Sequence, residues 1–283
     1  MALILAPWAL FAVAAMWGIS FVWMKDILDQ QDVYSFLCTR FLLASLAMII
    51  LKPTVLRGLS SNLVKKGIVT GFVLGAGYIF QTLGLDNTTP AITGFVTGLY
   101  VVFVPLLSAA ILRERVSLQT WIYVGLATIG LGFLSLKGWS VGLGESYVLV
   151  SAILFAIHIL LLGHWSRGFD SYAYALIQLI GCAAITGASA TIHGFTPPPD
   201  RQVWAVALFT AIFATAIAFV IQTWSQARIS ATKVAVILTM EVVFAAFFSV
   251  GMGREALTLR LIIGGALVLA AMLLIIRPKE SEA

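Results

Sequence analysis

Three charged side chains stand inside long apolar runs of this sequence: Arg40, Lys233 and Glu241. A charge at the centre of a bilayer costs roughly 2.5–3.5 kcal/mol even on the lenient insertion scale, so each needs a physical reason. Glu241 lies ten residues into a run that begins near Ala231. At the helical rise that is about 15 Å, close to the midplane of a membrane. A carboxyl at that depth can exchange a proton, receive a substrate ammonium, or serve as a structural acceptor between helices. Arg40 sits seven residues inside its run. Its guanidinium cannot shed a proton, so it must snorkel, pair or face water. As an anchor it would pair with loop acids or helix-end carbonyls; as a binding group it would take a substrate carboxylate. Lys233 is close enough to its helix end to snorkel.

The aromatic and neutral polar residues follow the same depth argument. Trp17, Tyr78 and Tyr100 fall near the middle of their runs, whereas membrane Trp and Tyr favour the interfaces. An indole N–H or phenol at that depth needs a partner, which points to rings lining a polar cavity, with plain core packing as the alternative. His158 is either an interhelical hydrogen-bond partner or a relay. Gln81 and Gln222 lie about a turn from their helix ends and favour interhelical bonding, with binding as the other role. Gln178 is a weaker cavity candidate. Pro105, in mid-helix, should kink its helix and free a carbonyl. Gly67, Gly71 and Gly75, and again Gly94 and Gly98, recur every four residues and permit close helix approach.

Enzyme chemistry finds no such support. There is no Ser-His-Asp order at a suitable depth, no His-Glu-x-x-His, no carboxylate cluster for a metal and no phosphate-cradling loop. No cofactor or metal is therefore expected. Cys38 and Cys182 lie in separate apolar runs and read as buried, inert thiols.

The elements that carry these residues follow from composition. Of 283 residues, 61% are hydrophobic and only 10% charged, against about 25% in a soluble domain. The net charge of +5 is spread over short loops and forms no basic patch, so nucleic acid is not expected as a partner. Ten apolar runs near spanning length are bounded by charge, Gly, Pro and polar clusters. They are Trp8–Met24, Val33–Leu51, Gly67–Leu85, Pro90–Leu112 and Leu118–Leu136, then Tyr147–Leu162, Tyr172–Ile192, Val203–Trp224, Ala231–Val250 and Leu261–Ile276. They are continuous, unlike barrel strands, so the fold class is an all-α integral membrane protein in contact with the lipid bilayer. With the N-terminus inside, the loops and ends carry eleven Lys and Arg on the cytoplasmic side against five outside. The positive-inside bias thus puts both termini in the cytoplasm.

The chain also repeats itself. A shift of 141 residues aligns Gln81-Thr82 with Gln222-Thr223 and Phe103 with Phe244; a shift of 138 aligns Asp32 and Tyr34 with Asp170 and Tyr172, and Trp17-Gly18 with Phe155-Ala156. Two five-helix units are expected, 1–138 and 139–283. Because five is odd, the second unit enters from the opposite side, giving inverted repeats with a site between them that can alternate its access.

Here the sequence resembles the EamA-type transporters of the drug/metabolite transporter superfamily. The resemblance rests on Trp17-Gly18, on Arg40, on the run Glu241-Val242-Val243-Phe244-Ala245, and on Glu255, mirrored by Glu114. Val242 stands where the family has Pro, which removes the proline kink expected there. The pattern is most similar to bacterial exporters of aromatic and other neutral amino acids. It implies a secondary transporter of a small metabolite in the bacterial inner membrane, with Trp17, Tyr78, Tyr100, His158, Glu241, Gln81 and Gln222 as binding residues and Arg40 and Pro105 as structural or gating ones. One such unit contains the whole path, so a monomer suffices. The alternatives are a proton-coupled multidrug exporter and a membrane scaffold that transports nothing.

Overall fold

The computed structural model describes residues 2–88, 90–113, 115–135, 142–254 and 256–276. Glu114 and Glu255 lie outside them. Among the described residues there are helices and no strands. In chain order they are α1 (Ala2–Ile27), α2 (Val33–Leu51), α3 (Ser61–Asn87), and α4, made of Pro90–Gly98, Tyr100–Leu107 and a π-helical turn Ser108–Leu112. Then come α5 (Leu118–Ser135), α6 (Leu143–Trp165) and α7 (Ser171–His193). Helix α8 joins Arg201–Ala211, a π stretch Ile212–Ile217 and Ala218–Gln226; α9 joins Ala231–Leu238 and Met240–Gly251; α10 is Leu259–Ile276. All but α5 contain, among the described residues, a span long and apolar enough to cross a membrane, and the apolar stretch of α5, Leu118–Phe133, is shorter. The protein is a multi-pass membrane protein.

Several helices outrun their apolar runs: α1 starts at Ala2, α3 at Ser61 and α6 at Leu143. Hydrophobicity sets where a helix meets lipid, while capping sets where it begins. Asp32, Ser60, Asp170, Asp200 and Ser230 each accept a bond from the backbone N–H three residues on. Asp32 and Asp170 are thus equivalent helix caps, which explains that match between the halves.

The two halves interlock. Helix α3 packs on α6 and α7, α2 on α7, α1 on α8 and α9, and α5 on α10. Exchanging α1–α5 with α6–α10 turns α3·α6 into α8·α1, α3·α7 into α8·α2 and α1·α9 into α6·α4, all of which are in contact. The pairs α2·α7 and α5·α10 map onto themselves. The packing therefore has a two-fold pseudosymmetry, and each half buries much of its surface against the other.

Small residues make the crossings close. A Cβ on Gly71 would collide with the Gln178 carbonyl and the Gly181 backbone, so only glycine lets α3 and α7 touch there. Gly67 and Gly75 face Ile177 and Ile185 of the same helix. Gly94 and Gly98 divide their contacts, facing Val242 and Leu131 respectively.

Candidate functional site

A central cavity of about 540 Å³, mouth included, lies between the halves. Trp17, Tyr78, Gln81, Tyr100, His158, Gln222 and Glu241 all line it, as does Arg40. Pro105 does not line it. The irregularities of α4 flank that proline instead, a turn at Leu99 before it and the π turn after it.

The cavity sits on the pseudosymmetry axis. Twelve of its sixteen lining residues are six repeat pairs: Trp17/Phe155, Ser20/His158 and Phe21/Ile159 at a shift of 138, and Tyr78/Phe219, Gln81/Gln222 and Tyr100/Glu241 at 141. Five of the six pairs differ in residue, Gln81/Gln222 being the identical one, so the halves have largely diverged where they face the cavity. Sequence reasoning missed Ser20, Phe21 and Phe219. The register alone would have found Phe219, as the mate of Tyr78.

Helices α4 and α9 break at matching places, one residue before Tyr100 and two before Glu241. At α9 no proline is involved. The Thr239 hydroxyl donates to the Val236 carbonyl at 2.6 Å, a back-bond that competes with the helical ladder. The break brings Tyr100 and Glu241 together, and the Tyr100 hydroxyl donates to Glu241 Oε1 at 3.3 Å.

Gly18 explains the Trp-Gly motif. A Cβ there would lie 2.8 Å from the Ala245 nitrogen and 2.9 Å from the Glu241 carbonyl oxygen. Glycine thus lets α1 rest on the backbone of α9 beside Glu241, with Trp17 turned into the cavity.

The π stretch of α8 supplies acceptors that a regular helix would keep for itself. The Ala214 carbonyl accepts from Trp17 Nε1 at 2.8 Å and from Arg40 Nη2 at 3.2 Å. Arg40 Nε donates to Thr215 Oγ1 at 2.7 Å. The Arg40 guanidinium also lies 4.9 Å from the Tyr78 ring centroid. Arg40 is 1% exposed, and among the described residues it pairs neither with a loop acid nor with a helix-end carbonyl; the π stretch brings acceptors to it in mid-helix. Among the described residues no ion pair joins Arg40 or Glu241 to another side chain; Arg254–Asp26 is the pair found. Tyr78 stands within electrostatic reach of both.

His158 is an interhelical hydrogen-bond partner that also lines the cavity. Its Nε2 is 3.0 Å from Gln178 Oε1, and the Gln178 amide donates to Thr223 Oγ1 at 3.1 Å. Gln178 stands behind His158 and does not reach the cavity. Gln81 bonds between helices, donating to Thr97 Oγ1 at 3.2 Å. Gln222 instead bonds along its own helix to Gln226 at 2.9 Å, and its Oε1 is buried with no protein donor. Phe219 closes the aromatic wall, with its ring 5.7 Å from Trp17 and 6.3 Å from Tyr78.

Known proteins resemble this arrangement along its whole length. The model of the EamA-like transporter family matches twice, over residues 4–136 and 142–277. An uncharacterized transporter of Archaeoglobus fulgidus is 32% identical over 271 residues, covering 95% of this chain and 85% of its own. A solved crystal structure superposes with a TM-score of 0.79 over 95% of both chains at 17% identity, which shows a shared fold. With two family matches along one chain and a 32% identical relative covering nearly all of it, the chain belongs to the EamA-like transporter family.

Proposed function

We propose that this transporter exports small metabolites, foremost aromatic and other neutral amino acids, across the plasma membrane, the inner membrane of a bacterium. In this reading the chain crosses ten times, with both termini cytoplasmic and the halves inverted, and the central cavity opens alternately to each side. The observation that carries it is a single cavity holding two buried, mutually unpaired groups of opposite charge, Arg40 and Glu241, beside aromatic rings. A zwitterion presents the complementary pair, its carboxylate to Arg40 and its ammonium to Glu241. An aromatic side chain would stack among Trp17, Tyr78 and Tyr100.

The test is flux in proteoliposomes across a panel of labelled amino acids, with and without a pH gradient. Uptake of aromatic amino acids by exchange supports the proposal, and no flux for any of the panel refutes it. A second reading, the proton-coupled multidrug exporter, draws on Glu241 having one protein hydrogen-bond donor, Tyr100. Flux of bulky cations that stops without a pH gradient would favour it. Orientation is tested with a cysteine at Ser281, outside the described residues. An impermeant reagent should label it in inverted vesicles and leave it untouched in intact cells.

A further inference from the structure

The pseudosymmetry permits a comparison of the two mouths of the path. At the end of α1 the Asp26 carboxylate takes a bidentate pair from Arg254 beyond α9, at 2.6 and 2.7 Å, and Arg254 also donates to the Val22 carbonyl at 3.2 Å. On the same face the loop after α7 is tied to α2. The Thr196 hydroxyl donates to Asp32 Oδ2 at 2.9 Å, and the Gln31 amide donates to the Thr196 carbonyl at 2.8 Å. Both ties join one half to the other.

Their repeat mates lie on the opposite face and have different chemistry. Asp26 and Arg254 map onto His164 and Arg113, and Asp32 and Thr196 onto Asp170 and Val55. A histidine beside an arginine offers no carboxylate, and a valine side chain donates no hydrogen bond. Among the described residues no ion pair or hydrogen bond joins the members of either mirrored pair. A surface recess lined by Leu112, His164 and Arg167 lies on that face, and another includes both Val55 and Asp170.

We propose that the Asp26–Arg254 ion pair, which has no mirrored ion pair among the described residues, is a latch on the outer mouth; α2 and α7 are tied on both faces, by Thr196 to Asp32 on one and by the Tyr172 hydroxyl to the Met48 carbonyl on the other. The protein without substrate therefore rests closed to the outside and accessible from the cytoplasm. Inverted repeats alone would make the two shapes near-equal in energy, and the latch breaks that balance in the direction an exporter needs for loading. The assignment of outer and inner faces rests on the topology proposed above. The latch itself rests on the side-chain pairs, and no transport site residue takes part in it.

Spin-label distances in lipid nanodiscs test this without any substrate, so a failure of the amino-acid proposal leaves the result readable. Labels on Gln30 and Met252 report the outer mouth, and labels on Arg167 and Lys233 the inner, in a Cys38→Ala/Cys182→Ala background. Asp26→Asn should raise the population of the longer outer distance about threefold to fivefold, as expected for a partly exposed bidentate ion pair. The same change should shorten the inner distance. Arg254→Gln should act alike, and the swap Asp26→Arg/Arg254→Asp should restore the original distribution. Unchanged distances in both single variants, or a swap that fails to restore them, would overturn the latch.

Discussion

Replacing Arg40 with glutamine places in the first half the residue that its repeat mate, Gln178, already carries in the second. The consequences for stability and for transport have opposite signs. On the stability side the change removes the bonds to Thr215 and Ala214 and the contact with the Tyr78 ring. Two net hydrogen bonds at about 1 kcal/mol each and a cation–ring contact of about 1–2 kcal/mol amount to a loss of about 3–4 kcal/mol. The Ala214 carbonyl keeps its bond from Trp17, so it is not orphaned. Against the loss stands relief of a buried guanidinium with no ionic partner, an effective penalty of several kcal/mol. The melting temperature should therefore hold, or rise by the ~2–4 °C that 1 kcal/mol moves a protein of this size. On the transport side a charge-assisted bond to a substrate carboxylate is worth about 1.5–3 kcal/mol, so half-saturation should rise roughly 10- to 150-fold. Thermal unfolding together with proteoliposome flux measures both. An aromatic amine lacking the carboxylate should show no such rise, which isolates the contact. A fall in melting temperature of more than about 5 °C with unchanged half-saturation would refute the reasoning and make Arg40 an anchor.

Glu241→Gln keeps the bond with Tyr100 while removing the charge, so it should raise half-saturation for ammonium-bearing substrates equally at two pH values. Loss of a pH response would assign proton transfer to Glu241, and unchanged flux would make the carboxyl structural. Gly18→Val should force α1 off α9, costing about 1–3 kcal/mol of overpacking and displacing Glu241, read as a lower melting temperature together with weaker flux. At the start of α2, burial works to raise the Asp32 carboxyl, but bonds from Ser35 and Thr196 outweigh it and hold the group below its ordinary value. Ionised Asp32 then stabilises the fold at neutral pH and loses that contribution as pH falls through the carboxylate range, so melting curves of Asp32→Asn should lack part of the acid-induced decline. An identical decline in both proteins would contradict this.

Depth along the membrane was readable from the sequence, because lipid penalises every polar group by its distance from the interface. That rule selected Trp17, Tyr78, Tyr100, His158, Gln81, Gln222, Glu241 and Arg40, which line one cavity, and also Gln178, which does not reach it. The repeat was readable too, since Asp32 and Asp170 cap equivalent helices and the two glutamines both line the cavity. Direction around each helix was not. In a bilayer the lipid face and the packed face are both apolar, so periodicity does not tell which side of a helix turns inward. Ser20 was invisible for that reason, whereas Phe219 was within reach of the repeat register. The partners were also decided only by tertiary packing. The Ala214 carbonyl becomes an acceptor for Trp17, 197 residues away, because α8 adopts a π stretch beside α1. Glu241 meets Tyr100 because two broken helices face each other across the axis. Asp26 meets Arg254, while among the described residues no ion pair joins the mirrored His164 and Arg113. Such pairings depend on how the halves interlock, a property of three-dimensional contact that no local run of residues encodes.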